Sequence, residues 1–349
     1  MINEISFVSS RSESFGSPIT IKCAEDVVPG CLAPCELSLA LEMAKNYVPP
    51  KGIEDIRRTT GFPNRNLNTC EIVTDVAEIE NGNASLRVWI YAPRKPFEHE
   101  PYPAVIYLHA GSFFAGKAFM CENVCRYIAE KAPCTVFNVE YSLAPEHPYP
   151  AVLDETRLTL DFICANAEKY NIDPENISVI SESATCSVSS ALAAEDKRIK
   201  KQFLLYPMES MFIEGMPFEW KLSDFEINEA QKQLIIPRLR LGRSDGEGDT
   251  AFMMQIAAMY LQHGEDRADP KISPLHGDAA KQCETLIFTA EFDGLRQQGE
   301  YYGKLLRDAG VKCEVIRYRG VHHAFMDKFG VFPQAKDAAD EIASHLSGK

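Results

Sequence analysis

No run of apolar residues in this chain approaches the ~20 that a helix needs to cross a bilayer, so a helical membrane span is not expected. Positive charge is also scarce: 36 Lys and Arg stand against 50 Asp and Glu, a formal net charge of −14. Nucleic acid and anionic membrane surfaces are therefore poor principal partners. The N-terminal stretch MINEISFVSSRSE lacks the basic start and apolar core of a secretory signal, which points to a cytoplasmic location. HExxH, GxGxxG and Walker patterns are all missing, so neither a metal nor a nucleotide cofactor is expected. Eleven cysteines are scattered from Cys23 to Cys313 without a CxxC pair. Cys31/Cys35 and Cys121/Cys125 have no His or Cys neighbours at zinc-ligand spacing. Reduced thiols fit this pattern better than a disulfide framework.

What the chain does have is core-forming material, 45% of 349 residues, enough for one large α/β domain with an insertion or for two domains. Strand-like and helix-like periods alternate over most of its length. Residues 71–80 and 85–92 flank Asn81-Gly82-Asn83, a hairpin turn signal. Residues 104–108, 135–141, 177–180, 203–206, 286–289 and 314–318 read as buried strands. Between and after them, residues 119–131, 151–169, 184–194, 294–309 and 332–346 read as helices. That order predicts an α/β fold with a mostly parallel sheet flanked by helices.

Two regions interrupt the alternation. Residues 1–68 carry helical periodicity at 37–48 and 53–58 and are expected to form a cap or arm, with a loosely packed extension as the alternative. Residues 208–263 are rich in Met and aromatics (Met208, Met211, Trp220, Phe225, Met259, Tyr260) and include a charged run at 243–249. They are expected to form a helical cap insertion, part of which can line an apolar substrate pocket. The core is then 69–207 together with 264–349.

In a parallel sheet, sites form beyond the carboxyl ends of the strands. Ser183 follows the strand at 177–180 where the period switches at once to a helix, the pattern of a nucleophile elbow. The usual G-x-S-x-G reads Ser181-Glu182-Ser183-Ala184-Thr185 here, so both glycines are replaced. Asp293 and His323 lie past two later strands, in the order Ser, Asp, His. A serine hydroxyl needs a neutral imidazole to take its proton, and the imidazole needs a carboxylate to orient it. The developing oxyanion needs backbone N–H donors, which the small-residue loop Ala110-Gly111-Ser112 and Ala184 can offer. Glu291 is the alternative acid, with Asp293 then a helix cap, and His322 is the alternative base. His109 is expected to anchor its loop rather than to catalyse, and Glu182 to support the elbow or remain a solvated carboxylate.

Four segments make the pattern specific. LHAGSF resembles an H-G-G-G-F loop, VEYSLAPEHPYPA a Y-R-L-A-P-E-x-P-x-P-A segment, and SESATC a G-D-S-A-G-G elbow, while TAEFDGLRQQGEYY with GVHHAF resembles acid and histidine blocks. From about residue 86 onward the chain resembles the hormone-sensitive-lipase-like (acetyl esterase) family of α/β-hydrolases. The resemblance implies an eight-stranded, mostly parallel sheet with a helical cap. It implies Ser183, Asp293 and His323 as the catalytic triad, and Ala110, Gly111 and Ala184 as oxyanion donors. It also implies hydrolysis of short acyl esters, acetyl to roughly hexanoyl, without a cofactor. The partner is then a small-molecule ester, and by analogy a homodimer can form through the last strand.

The departures from the family pattern are Thr185 and Cys186 for elbow glycines, Ala110 and Ser112 for oxyanion-loop glycines, and Ser142 for an arginine. If Ala110 must take a positive φ, the change costs strain. These replacements motivate an alternative, a relative that binds ligands in the pocket without hydrolysis; a lyase or acyltransferase using the same residues is a third reading.

Overall fold

Burial on both faces decides the middle of the sheet. Val105 and Tyr107 point into one core layer, and Ala104, Ile106 and Leu108 into the other, so no polar face is left for solvent. The computed structural model describes residues 5–46, 48–82, 84–94, 101–218, 221–240 and 249–348. Residues 1–4, Asn83, Trp220 and the run 241–248, which belong to stretches noted above, lie outside them.

The chain opens with β1 (Phe7–Ser14) and β2 (Ser17–Ala24), followed by α1 (Pro34–Asn46) and α2 (Ile53–Thr59). Next come β3 (Ile72–Asn81), β4 (Ala84–Pro93), β5 (Tyr102–Leu108), α3 (Glu122–Lys131) and β6 (Thr135–Glu140). The middle of the chain holds α4 (Ala151–Ala165), the single turn α5 (Ala167–Tyr170), β7 (Ile172–Glu182), α6 (Thr185–Glu195) and β8 (Ile199–Leu205). The insertion contributes α7 (Lys232–Ile235) and α8 (Asp249–Tyr260). The chain then closes with β9 (Glu284–Phe292), α9 (Arg296–Asp308), β10 (Cys313–His322) and α10 (Pro333–Ser347). The strands form one sheet in the order β1-β2-β10-β9-β8-β7-β5-β6-β4-β3. Pairing is parallel from β2 to β6 and antiparallel for β1–β2, β6–β4 and β4–β3. Helices α4 and α6 cover one face, and α3 and α10 the other.

The sheet has ten strands rather than eight, and both additions come from the region expected to be only a cap or arm. The local signal was present. Ile19, Ile21 and Cys23 alternate with Thr20 and Lys22, and Phe15-Gly16, both at positive φ, make a two-residue hairpin turn. Docking of β2 against β10 buries Ile19 and Ile21 against α9, and Lys22 reaches Asp337 of α10 at 2.6 Å. β10 is therefore an interior strand, and a dimer through its edge, the pairing the analogy suggests, meets β2 instead.

The insertion behaves mainly as core. Met208, Met211, Phe225 and Tyr260 are buried, with Phe225 packed beside Leu32 and Ala40 of the N-terminal region. Among the described residues, no helix is long and apolar enough to cross a membrane.

Candidate active site

Ser183 sits at the turn between β7 and α6 with φ 60, a left-handed conformation that costs a non-glycine residue roughly 1–3 kcal/mol. Backbone bonds hold it there. Its N–H donates to the Leu205 carbonyl at 2.9 Å, and its carbonyl accepts from Met208 N at 3.1 Å and Cys186 N at 3.2 Å. The replaced glycines are accommodated by hydrogen bonds. Thr185 Oγ1 donates to the Glu182 carbonyl at 2.9 Å, and Cys186 Sγ to the Ser181 carbonyl at 3.2 Å. Thr185 and Cys186 thus occupy the helix–sheet contact with their polar atoms paired, whereas the buried Ser181 Oγ has no hydrogen-bond partner.

The three residues singled out by their order converge. Ser183 Oγ lies 2.8 Å from His323 Nε2, and His323 Nδ1 lies 2.8 Å from Asp293 Oδ2. Asp293 is fully buried, and its other oxygen accepts from Leu295 N at 2.8 Å. It therefore both caps the segment leading into α9 and faces the histidine, uniting two roles that the sequence presents as alternatives. Glu291 instead accepts from Gly320 N at 2.7 Å and does not touch His323. His322 turns the other way, its Nδ1 lying 2.7 Å from Glu36 of α1. Arg238 Nε of the insertion lies 3.1 Å from the same Glu36 oxygen. Burial lowers the His322 pKa below its ordinary value, with Glu36 opposing that effect. For Glu36, burial works against ionisation, but His322 and Arg238 outweigh it and hold the carboxyl below its usual range.

Glu182 is buried beneath the elbow and accepts from Tyr107 Oη at 2.7 Å, from Tyr206 Oη and from Cys121 Sγ. Burial, helped by nearby Asp327, pushes its pKa up to about 7, while the three donors pull it back. It is an elbow support, not a solvated carboxylate.

The 109–116 loop bounds the other side of the site. Its positive φ values fall on Gly111, Ser112, Phe113 and Gly116, not on Ala110, so the loss of a glycine at 110 brings no left-handed strain. Gly111 is irreplaceable for two reasons: its φ is 138, and an added Cβ would lie 1.9 Å from the Ala115 carbonyl oxygen. His109 stacks on Tyr141 with ring centroids 4.1 Å apart, and Tyr141 Oη donates to the His109 carbonyl. Burial lowers the His109 pKa to about 4, keeping a neutral ring as a loop anchor.

Ser183, His323, Ala110 and Gly111 line one cavity of about 240 Å³, and Ala184 follows Ser183 at the head of α6. Phe114, Ala115 and Met120 supply its apolar wall, Ile56 and Thr60 face it from α2 and the residue just after, and Asp327 adds a carboxylate. None of its described wall residues belongs to 208–263, part of which the sequence allowed to line the pocket. The N-terminal region takes that position. Arg57, Asp327 and the Glu36–His322 pair carry no local signature, because each acquires its role through contacts distant in sequence. Among the described residues, no group of His, Cys, Asp and Glu could hold a metal ion.

Behind α6, Glu209 is fully buried with no hydrogen-bond partner of good geometry on either oxygen. Burial pushes its pKa up to about 8, and the nearby Ser190 hydroxyl gives only a weak counter-pull. Between its ordinary 4.5 and about 8 the folded chain holds a proton that the unfolded chain releases. Stability therefore falls as pH rises through that window and stays lower above it, by on the order of several kcal/mol. Glu209→Gln is expected to melt near the wild type at pH 5 and well above it at pH 9. Equal melting temperatures at both pH values would refute the assignment.

Comparisons with known proteins agree with this fold. A family model described as alpha/beta hydrolase fold matches residues 105–327. Esterase LipI of Mycobacterium tuberculosis is 28% identical over 295 residues, which cover 83% of this chain and 86% of that protein. The acetyl esterase of Salmonella dublin is 25% identical over 284 residues, 80% of each chain. Among solved structures, the hyperthermophilic esterase of the archaeon Pyrobaculum calidifontis is similar with a TM-score of 0.73 at 24% identity, over 91% of this chain and 98% of that one. At that identity the structural likeness speaks for the fold.

Proposed function

Because the chain belongs to the α/β-hydrolase fold family, we propose that it is a carboxylic ester hydrolase that works through an acyl-enzyme on Ser183. The observation that carries the proposal is the unbroken chain from Ser183 Oγ to His323 to buried Asp293, with 2.8 Å at each link. Ser183 Oγ attacks the ester carbonyl while His323 Nε2 takes its proton. The negative charge on the carbonyl oxygen is met by the backbone N–H groups of Ala110, Gly111 and Ala184. Collapse of the tetrahedral species breaks the C–O bond, and His323 returns the proton to the leaving alcohol. Water, deprotonated by the same histidine, then attacks the acyl carbon and releases the acid and Ser183.

The cavity of about 240 Å³ is smaller than the roughly 300–1,000 Å³ typical of ligand sites, which supports short acyl groups such as acetyl. The name of one relative, the acetyl esterase, points the same way. Intact-protein mass after fluorophosphonate treatment tests the mechanism, alongside turnover of p-nitrophenyl esters of increasing chain length. A single adduct on Ser183 is expected, with rates falling as the acyl chain outgrows the cavity. Absence of both adduct and turnover would sink the esterase proposal and favour a pocket that only binds its ligand.

A further inference from the structure

The 109–116 loop has an unusual structural problem. Three consecutive residues, Gly111, Ser112 and Phe113, hold positive φ, and two of them are not glycine. Such a segment persists only where its surroundings over-determine it. It lies outside the sheet ladders; bonds from Phe114 N and Ala115 N to the Gly111 carbonyl, at 3.1 and 2.9 Å, close its turn, and side chains and loops from elsewhere brace it.

We propose that Arg57, on α2 of the N-terminal arm, is a positioning residue that holds this loop in its oxyanion-binding shape. One guanidinium serves four partners, of which Glu54 Oε1, 3.3 Å from Nη1, lies on its own helix. Nε donates to the Phe114 carbonyl at 2.8 Å, and Nη2 donates to the Ala144 carbonyl at 2.9 Å. Nη1 and Nη2 donate to the two oxygens of Glu146 at 3.0 and 2.6 Å. The Ala144 N–H in turn donates to the Phe113 carbonyl at 2.9 Å, which closes a circuit from the arm through the 144–146 segment back to the loop. Phe113 is pinned from the far side by stacking on Tyr260 of α8, centroid to centroid 3.8 Å. Arg57 thus grips the carbonyl just past the strained triplet, while the proposed donor N–H groups of Ala110 and Gly111 lie just before and within it. A planar fork with five donors can serve all these acceptors at once, whereas a lysine ammonium cannot match their geometry.

The arm has other anchors. Asn64 Nδ2 donates to the Met120 carbonyl at 2.6 Å, and Arg65 N to the Phe329 carbonyl at 2.9 Å. Removing the Arg57 side chain should therefore loosen the loop more than it undocks the arm.

The proposal rests on the esterase function above, and the two fail differently. The experiment measures kcat, KM and melting temperature for wild type, Arg57→Ala, Arg57→Lys and Glu146→Gln with p-nitrophenyl acetate. A loop displaced by about an ångström costs roughly 10- to 100-fold in rate. The expected result is a drop of that size in kcat for Arg57→Ala, with KM changed by less than about threefold. Arg57→Lys should recover only part of the loss. Glu146→Gln keeps both carbonyl contacts and should stay close to wild type. Folded Arg57→Ala with unchanged kcat would overturn the clamp, and so would an effect confined to KM. If Arg57→Ala does not fold, Arg57→Lys decides, and full activity in it is the overturning result. A wild type whose turnover survives Ser183→Ala would overturn the esterase mechanism and the clamp together. A Ser183-dependent wild type with an indifferent Arg57 would overturn the clamp alone.

Discussion

Ser183→Ala is expected to lower kcat for p-nitrophenyl acetate by about 10⁶-fold, and His323→Ala by a similar amount. The size follows from how the pair acts. Ser183 Oγ has a single imidazole within hydrogen-bonding distance, His323 Nε2 at 2.8 Å, and no other described base is in contact with it. Removing either partner ends covalent catalysis, so the double variant should be no slower than the singles. Some rate above the uncatalysed reaction should remain, since Ala110, Gly111 and Ala184 would still offer N–H groups to a carbonyl attacked by water. The proper measurement is single-turnover kinetics on purified variants with matched melting temperatures. A purified Ser183→Ala protein within about tenfold of wild type would place the reacting group elsewhere.

Asp293→Asn should cost about 10⁴-fold in kcat while leaving the fold intact. Asp293 has two fixed obligations: one oxygen accepts from Leu295 N and the other from His323 Nδ1. An asparagine can keep its carbonyl oxygen on Leu295 N, but then its amide NH₂ faces His323. Nδ1 must become the acceptor, the ring proton moves to Nε2, and the nitrogen facing Ser183 can no longer take a proton. The loss should therefore appear in kcat and in fluorophosphonate labelling, with little change in melting temperature. Glu291→Gln is the internal control. Glu291 accepts from Gly320 N and has no contact with His323, so its variant should retain most of the activity. Equal losses in the two variants would mean that the acid has been misassigned.

The neighbouring histidines show where local pattern stops. His322 and His323 are adjacent at the end of one strand, and nothing in V-H-H-A-F says which ring meets the serine. Backbone direction decides it: His322 ends β10 and His323 opens the turn after it, so the two rings leave in different directions. One goes to Ser183 and Asp293, the other to Glu36, which reaches the site from an N-terminal helix. The same limit applies to pocket lining. A Met- and aromatic-rich insertion looks like a substrate wall, yet Met208, Met211, Phe225 and Tyr260 fill cores, and Ile56 and Thr60 from the arm face the cavity. Amphipathic composition reports that a segment must bury one side, not what it is buried against.

By itself, the sequence determined the features that depend on near neighbours. These are the alternation of buried strands with helices, the strand–turn–helix at Ser183, and the order Ser, Asp, His past successive strands. Such features follow from periodicity and turn chemistry, which act over a few residues. Only the tertiary structure decided that β2 closes the β10 edge, that His322 turns away to Glu36, and that Arg57 grips the 109–116 loop. Each of these depends on which distant surfaces meet. That is settled by the joint packing of the sheet, the arm and the insertion, and no short stretch of sequence encodes it.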